Sequence, residues 1–428
     1  MDNFSRILVL NHEFWPDSSG SLTCLVNIVK ALSKNYSVDI LCARTNVDSR
    51  ENEISFGCNI NRIGTAYDKP FLINKKYQKR DDITSFICKI VTYPIRKIYK
   101  RKSVYWGDND AYEGIIHSFL EEHLSEYDYV ITMVFPRHDT NIVGKVKCNF
   151  PDVKWIILQF DMYAYNPSWP KESNLDRIKE QKKWYESADR IIIQHEMCND
   201  TLEHEFKNYI SKLLPLHIPS LDSIDEDKEL VITGFLDRIC KKNNLNKDDI
   251  ITVVYTGRFY QDIRNPEYML RSFEKICSED NNIYLFILGF GCEDIVRKYK
   301  KILGNRLIVC GQTTNEDSVS AQREANILIN ISNSYREMVP SKILEYIGRR
   351  KPILNYYSIE DDICEEYLTE YPLHYSVDER EEISGNQIER IKDFILENYR
   401  NKCDYNDVKD KYNEFTSDYY TKKMMEGI

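Results

Sequence analysis

Short, mostly apolar runs recur along the chain, and the stretches between them carry apolar residues at helical spacing. The first run, residues 7–11, is followed by a loop at 12–21 and by an amphipathic stretch at 22–34. Residues 38–42, 129–135, 155–160 and 190–194 repeat the pattern, the last of them after a helical stretch at 176–187. In the second half the runs fall at 251–255, 283–291, 307–311 and 325–331. Runs of this length, rich in Ile, Val and Leu and joined by helical segments, predict parallel strands covered on both faces. The chain reads as α/β throughout, without an internal repeat longer than one strand–helix unit.

A length of 428 residues calls for two or three domains. The polar span 220–249 reads as a linker plus the first helix of a second domain, and residues 405–428 as a terminal helical segment. The first residues run straight into the 7–10 strand, so no secretory signal is expected. No stretch approaches the length of a membrane span. Twelve cysteines without a C-x2-C pair predict neither a zinc nor a redox motif, and suit the reduced thiols of a cytoplasm.

Charge changes this picture at one place. From Lys69 to Lys102 eleven Lys and Arg face only Asp81 and Asp82, a balance of +9 in a chain whose net charge is −10, leaving −19 for the rest. Phe71, Tyr77, Phe86, Ile90, Tyr93, Ile98, Tyr105 and Trp106 lie among or beside these cations. Basic residues interleaved with aromatic and aliphatic ones suit an anionic membrane surface. Packing of the apolar side on its own domain is the other reading, and the residues leave both open. The acidic remainder and the lack of a nucleic-acid motif argue against RNA or DNA.

The densest candidate chemistry is Glu337-Met338-Val339-Pro340-Ser341-Lys342-Ile343-Leu344-Glu345. Pro340 suits the first turn of a helix and Ser341 its start, which puts Glu337 in the loop before the helix and Glu345 on it. Free N–H groups at the helix start suit a phosphate. Two carboxylates for hydroxyls, with an anion site between them, describe a nucleotide-diphosphate-sugar. Upstream, the 251–255 strand ends in Thr256-Gly257-Arg258, with Arg264 six residues beyond, and two such cations can hold a diphosphate. The 283–288 strand ends in Gly289-Phe290-Gly291, which lets backbone approach a ligand or turn tightly.

In this order, over residues 250–356, these features resemble the donor half of retaining glycosyltransferases of family 4. The resemblance implies the GT-B fold: two Rossmann-like domains facing a central cleft, here 1–216 and 217–404, with 405–428 returning to the first domain. It implies that Glu337 lies near the donor sugar and Glu345 holds the ribose. Arg258 and Arg264 would offset charge on the leaving diphosphate, Arg264 standing where the family has Lys. Gly257, Gly289, Gly291, Gly311, Pro340, Ser341 and Lys342 would line the donor, as would Gly20 and Ser21 in the loop after the first strand. The family often carries a His after the fourth strand of the first domain. None lies in residues 131–136, and His138 just beyond is the acceptor-side candidate, together with Asp161.

The activity implied is sugar transfer with retention, without cofactor or metal, to a glycan or lipid-linked acceptor. Cell-surface polysaccharide synthesis such as capsule assembly, in the cytoplasm and peripheral on the inner membrane face, is the setting that fits. A sugar-nucleotide epimerase and a non-catalytic scaffold on the same fold are the competing readings.

Overall fold

Two open parallel sheets organise the protein, each in its own unit. The computed structural model describes residues 4–17, 19–78, 83–166, 170, 174–197, 205–221, 234–278, 282–336 and 342–428. One unit comprises Met1–Pro219 with Ser417–Ile428, the other Ser220–Thr416.

The first sheet contains β1 (Arg6–Leu10), β2 (Ser37–Ala43), β3 (Asn52–Ser55), β4 (Cys58–Ile63), β5 (Tyr129–Met133), β6 (Lys154–Gln159), β7 (Arg190–Gln194) and β8 (Leu213–Leu216). Their order is β3-β4-β2-β1-β5-β6-β7-β8, and every pairing is parallel except β3 with β4. The chain moves from β1 to β2 on one side and returns to β5 on the other. The crevice beyond the carboxyl ends of β1 and β5 is thus a topological switch point, where open α/β sheets bind ligands.

The second sheet contains β9 (Ile251–Arg258), β10 (Ile283–Phe290), β11 (Leu307–Val309), β12 (Ile327–Ile331), β13 (Ile353–Tyr357) and β14 (His374–Asp378), in the order β11-β10-β9-β12-β13-β14. All its pairings are parallel. Its switch point falls between β9 and β12. Val253, Leu285, Ile329 and Leu354, from four neighbouring strands, are fully buried, as continuous apolar runs require when both faces are covered.

Some elements escape the apolar-run pattern. The β3–β4 hairpin alternates polar and apolar residues at the sheet's edge, and β8 contains Pro215, which an edge strand tolerates because one side needs no N–H donor. The helix after β1 begins at Gly20, two residues before the expected Leu22. Ser19 caps it by accepting the Leu22 N–H at 3.2 Å, so Gly20 and Ser21 occupy the first helical turn rather than the loop.

The basic segment forms two packed helices, Lys69–Gln78 and Ile83–Tyr99. The first is anchored: Phe71 and Leu72 are buried, Lys75 pairs with Asp17, and Lys76 lies 3.0 Å from Asp48. The second leaves Phe86, Ile90, Val91, Tyr93 and Ile98 more than half exposed.

The end of the chain divides between the units. Val408, Tyr412 and Phe415 pack in the core of the second unit, where the Tyr412 hydroxyl donates to the Tyr367 carbonyl at 2.7 Å. A separate helix, Ser417–Met425, packs on Gly20–Leu32 of the first unit, with Lys34 and Asp418 paired at 2.6 Å. The expected single returning segment at 405–428 is therefore broken near Asn413–Phe415.

Candidate functional site

The carboxyl edge of the second sheet gathers most of the expected donor-site residues that lie in the described part of the chain. β9 and β10 run in register with Gly257 beside Gly289 and Arg258 beside Phe290. A Cβ on Gly289 would meet the Gly257 carbonyl oxygen at 1.7 Å, so these strand ends approach in a way only glycine permits. Gly291 has φ of +98°, and a Cβ there would come 2.3 Å from the Phe259 oxygen. The tight turn leaves the Arg258 guanidinium between two rings, 4.8 Å from the centroid of Tyr260 and 4.9 Å from that of Phe290. Stacking fixes its plane without using its donors, which stay available for an anion.

Arg264 is positioned from across the switch point. Asn333 Oδ1, just beyond β12, accepts from Arg264 Nε at 3.1 Å and from Nη2 at 2.8 Å. Ser334 N–H donates to the Ile263 carbonyl at 2.9 Å, tying the same two loops together.

Glu345 lies on the Lys342–Arg349 helix, mostly buried, and its hydrogen bonds among the described residues land on Oε2: from Lys342 Nζ at 2.7 Å and from Gln322 Nε2 at 3.3 Å. Oε1 is left to accept from another group. Gln322, on the Asn315–Glu324 helix, also donates to Thr256 Oγ1 at 3.0 Å and accepts from Arg349 Nε at 3.1 Å. Arg349 is buried, and desolvation lowers its pKa to about 10 against the pull of Glu345. Thr256 in turn meets the Tyr346 hydroxyl at 2.9 Å. This buried network joins the end of β9 to the helix that bears Glu345. Glu337, Pro340 and Ser341 lie outside the described residues. Gly311 turns the chain after β11 with φ of +71°, two strands from β9.

In the first unit the residues after β1 and β5 converge at the other switch point. His12 donates its backbone N–H to Asp139 Oδ2 at 2.6 Å, and its Nε2 meets the Val104 carbonyl at 2.9 Å. Tyr112 donates to Asp139 Oδ1 at 2.6 Å. Burial raises the Asp139 pKa to about 6, opposed by the bond from Tyr112 and by His12. His138 sits edge-on to His12 at 5.1 Å between centroids and is half-buried against Gly107. Burial, with His12 and Arg137 nearby, lowers its pKa to about 3, so the imidazole is neutral at physiological pH. Its Nε2 has no hydrogen-bond partner among the described residues. Asp161 follows β6 with an exposed residue surface, yet enough protein surrounds its carboxyl group to push the pKa up by desolvation. Gly20 and Ser21 lie after β1 on this same carboxyl edge.

Gln322, Asn333, His12 and Asp139 were not singled out from sequence. They are single polar residues whose importance comes from long-range pairing. Only Asp139, adjacent to His138, carried a local hint.

Residues 250–365 match the family model of group 1 glycosyl transferases. No curated protein sequence matches the chain. Solved structures similar over nearly its whole length include sucrose-phosphate synthase from Thermosynechococcus elongatus, at 14% identity and TM-score 0.59, covering 98% of this chain and 97% of that one. A trehalose-6-phosphate protein from E. coli bound with UDP-2-fluoro glucose gives 8% identity and TM-score 0.58, covering 98% and 97%. UDP-GlcNAc 2-epimerase from Neisseria meningitidis bound to UDP-GlcNAc gives 12% identity and TM-score 0.53, covering 98% of each chain. At such identities the shared property is the fold. The chain has the GT-B fold, and its second unit carries a group 1 glycosyltransferase domain.

Proposed function

We propose that this protein is a retaining glycosyltransferase of the family 4 type. It moves a sugar from a nucleotide-diphosphate-sugar to a glycan or lipid-linked acceptor in cell-surface polysaccharide synthesis. The observation that carries this reading is the carboxyl edge of the second sheet, which falls inside the matched region. There, among the described residues, Arg258 is stacked with its donors unused, Arg264 is held by Asn333, and Glu345 Oε1 is unengaged.

In this reading Arg258 and Arg264 bind the diphosphate, and Glu345 Oε1 accepts from the ribose hydroxyls beside Lys342. Gly257, Gly289 and Gly291 let backbone approach the donor, Gly20 and Ser21 are further donor-binding candidates, and Glu337 contacts the sugar. The acceptor oxygen bonds to the anomeric carbon on the face from which the diphosphate leaves, and the acceptor's proton passes to a leaving phosphate oxygen. The arginines stabilise the charge that grows on that phosphate. No metal or cofactor is required by this chemistry. His138, neutral and with no partner for Nε2 among the described residues, and Asp161 are acceptor-side candidates.

The same reading puts the reaction in the cytoplasm at the inner membrane face. Among the described residues no helix is long and apolar enough to cross a membrane. Support for peripheral docking comes from the Ile83–Tyr99 helix, whose exposed Phe86, Ile90, Tyr93 and Ile98 precede or adjoin exposed Lys97, Lys100, Arg101 and Lys102. Apolar groups enter the acyl boundary while the cations meet anionic headgroups.

Epimerisation is the second reading, because UDP-GlcNAc 2-epimerases share the fold at TM-scores close to those of the transferase-like neighbours. Incubation with a panel of nucleotide-sugars separates the two. A transferase releases nucleoside diphosphate, and an epimerase returns a new nucleotide-sugar.

A further inference from the structure

The far edge of the first sheet holds a group of metal-ligating side chains that the sugar-transfer reading does not use. β7 and β8 pair in parallel with Gln194 opposite Leu216. The next residue of each strand, His195 and His217, therefore leaves the sheet side by side, with ring centroids 4.5 Å apart. Glu196 lies between them in the turn His195–Met197. Its Oε1 is 2.7 Å from His217 Nδ1 and 4.0 Å from His195 Nδ1. One ligand atom from each residue lies within 4.8 Å of the others.

We propose that His195, Glu196 and His217 bind one first-row transition cation, with Zn2+ the ion the donor set suits. Two imidazole nitrogens and one carboxylate oxygen are borderline ligands that favour zinc, whereas Mg2+ and Ca2+ prefer oxygen alone. Tetrahedral zinc, with bonds near 2.0–2.2 Å, sets its ligand atoms about 3.4 Å apart. The observed 2.7 and 4.0 Å bracket that spacing, so binding parts the Glu196–His217 pair slightly and draws His195 inward. The side chains grade from Glu196 at 2% exposure through His217 at 18% to His195 at 57%. The carboxylate thus forms the floor of the site, His195 its outer wall, and a fourth position opens to water.

A divalent ion held here supplies a positive partner to the buried Glu196 carboxylate. The ion also adds a cross-link between two strand ends. Its place gives that link a role, because His217 stands two residues before Pro219, where the chain leaves the first unit for the second. Zinc pins the outgoing segment to the end of β7. This inference does not rest on sugar transfer.

The test uses the full chain, stripped by chelator and dialysed against micromolar Zn2+, with metal content, chelator competition and melting measured. About one tightly held Zn2+ per chain is expected, along with a rise in melting temperature by mass action and no competition from millimolar Mg2+. His195→Gln alters the most exposed ligand and disturbs folding least. It should weaken zinc at least about tenfold, since even outer-shell changes cost 10–100-fold, and should abolish the zinc-dependent melting shift. In chelator its melting curve should match that of the parent. No stoichiometric zinc in the parent chain would overturn the proposal. So would zinc affinity unchanged from the parent's in both His195→Gln and His217→Gln, which would assign the ion to other residues such as exposed Cys148.

Discussion

Gly289 faces the carbonyl of Gly257 so closely that a single added methyl would stand 1.7 Å from that oxygen. The obstacle is backbone in a paired strand and cannot swing aside. The close approach lies beside Arg258, at the proposed diphosphate site. Gly289→Ala should destabilise the protein by about 1–3 kcal/mol or more, the cost of forcing atoms into a packed place. Gly114 is the contrast: it lies within the Asp110–His123 helix with nothing within 4 Å of a built Cβ. Gly114→Ala should stabilise by about 0.4–1 kcal/mol through helix propensity and reduced unfolded-state freedom. Urea melts of both variants, read against the parent, check the pair.

Glu345 offers one carboxylate oxygen while Lys342 and Gln322 hold the other. Glu345→Ala should weaken UDP or GDP binding by about 1.5–3 kcal/mol, the worth of a hydrogen bond to a charged acceptor. That corresponds to a factor of roughly ten to a hundred in Kd. Isothermal titration with each nucleotide measures it. Unchanged affinity for both would remove Glu345 from the ribose site.

The α/β plan was readable because buried parallel strands are written as short, largely apolar runs. Residues 251–255, 283–288 and 327–331 all lie in strands at the centre of the second sheet. Edges were less legible. β8 hides behind Pro215, and β3 and β4 carry too few apolar residues to mark themselves. The site was legible where chemistry is local, as in Gly257-Arg258 or Gly289-Phe290-Gly291. It was illegible where a residue acts through a distant partner. Nothing around Gln322 announces that it will bridge Thr256 and Glu345, or around Asn333 that it will grip Arg264. The His195–Glu196–His217 group is of the same kind, since a 20-residue gap closes only when β7 and β8 pair.

His138 makes the fold sensitive to acid. In the unfolded chain its imidazole titrates near 6.5, whereas in the fold burial lowers the value to about 3. The folded state binds fewer protons between those values, so stability is lost as pH falls from 6.5 toward 3. Asp139 acts in the opposite sense. Burial raises it from 3.8 to about 6, so its contribution is full below 3.8 and is lost as pH rises toward 6. His138→Asn should flatten the acid limb, sparing about 3 kcal/mol between pH 6.5 and 4. Asp139→Asn should steepen it. Denaturant melts at several pH values distinguish these outcomes.

The exposed face of the Ile83–Tyr99 helix should dock on anionic vesicles at low salt and leave them at high salt. Each cation near the surface contributes up to about 1 kcal/mol. Replacing Lys97, Lys100, Arg101 and Lys102 with Gln should therefore release the protein, and Phe86→Ser with Ile90→Ser should do so at unchanged charge. Flotation beside a melting curve separates docking from folding. A parent protein that stays in solution with anionic vesicles at low salt would end the membrane reading.

Sugar transfer with retention is tested most directly by following a nucleotide-sugar turnover with NMR at the anomeric position. Parent protein should release nucleoside diphosphate and give product, or slow hydrolysis product, with the donor's own anomeric configuration. Arg258→Ala should slow this by about 10²–10³, the scale of losing one preorganised charge partner. An inverted anomer would contradict retention. A new nucleotide-sugar without diphosphate release would make the protein an epimerase, and no turnover of any donor in the panel would contradict the account as a whole.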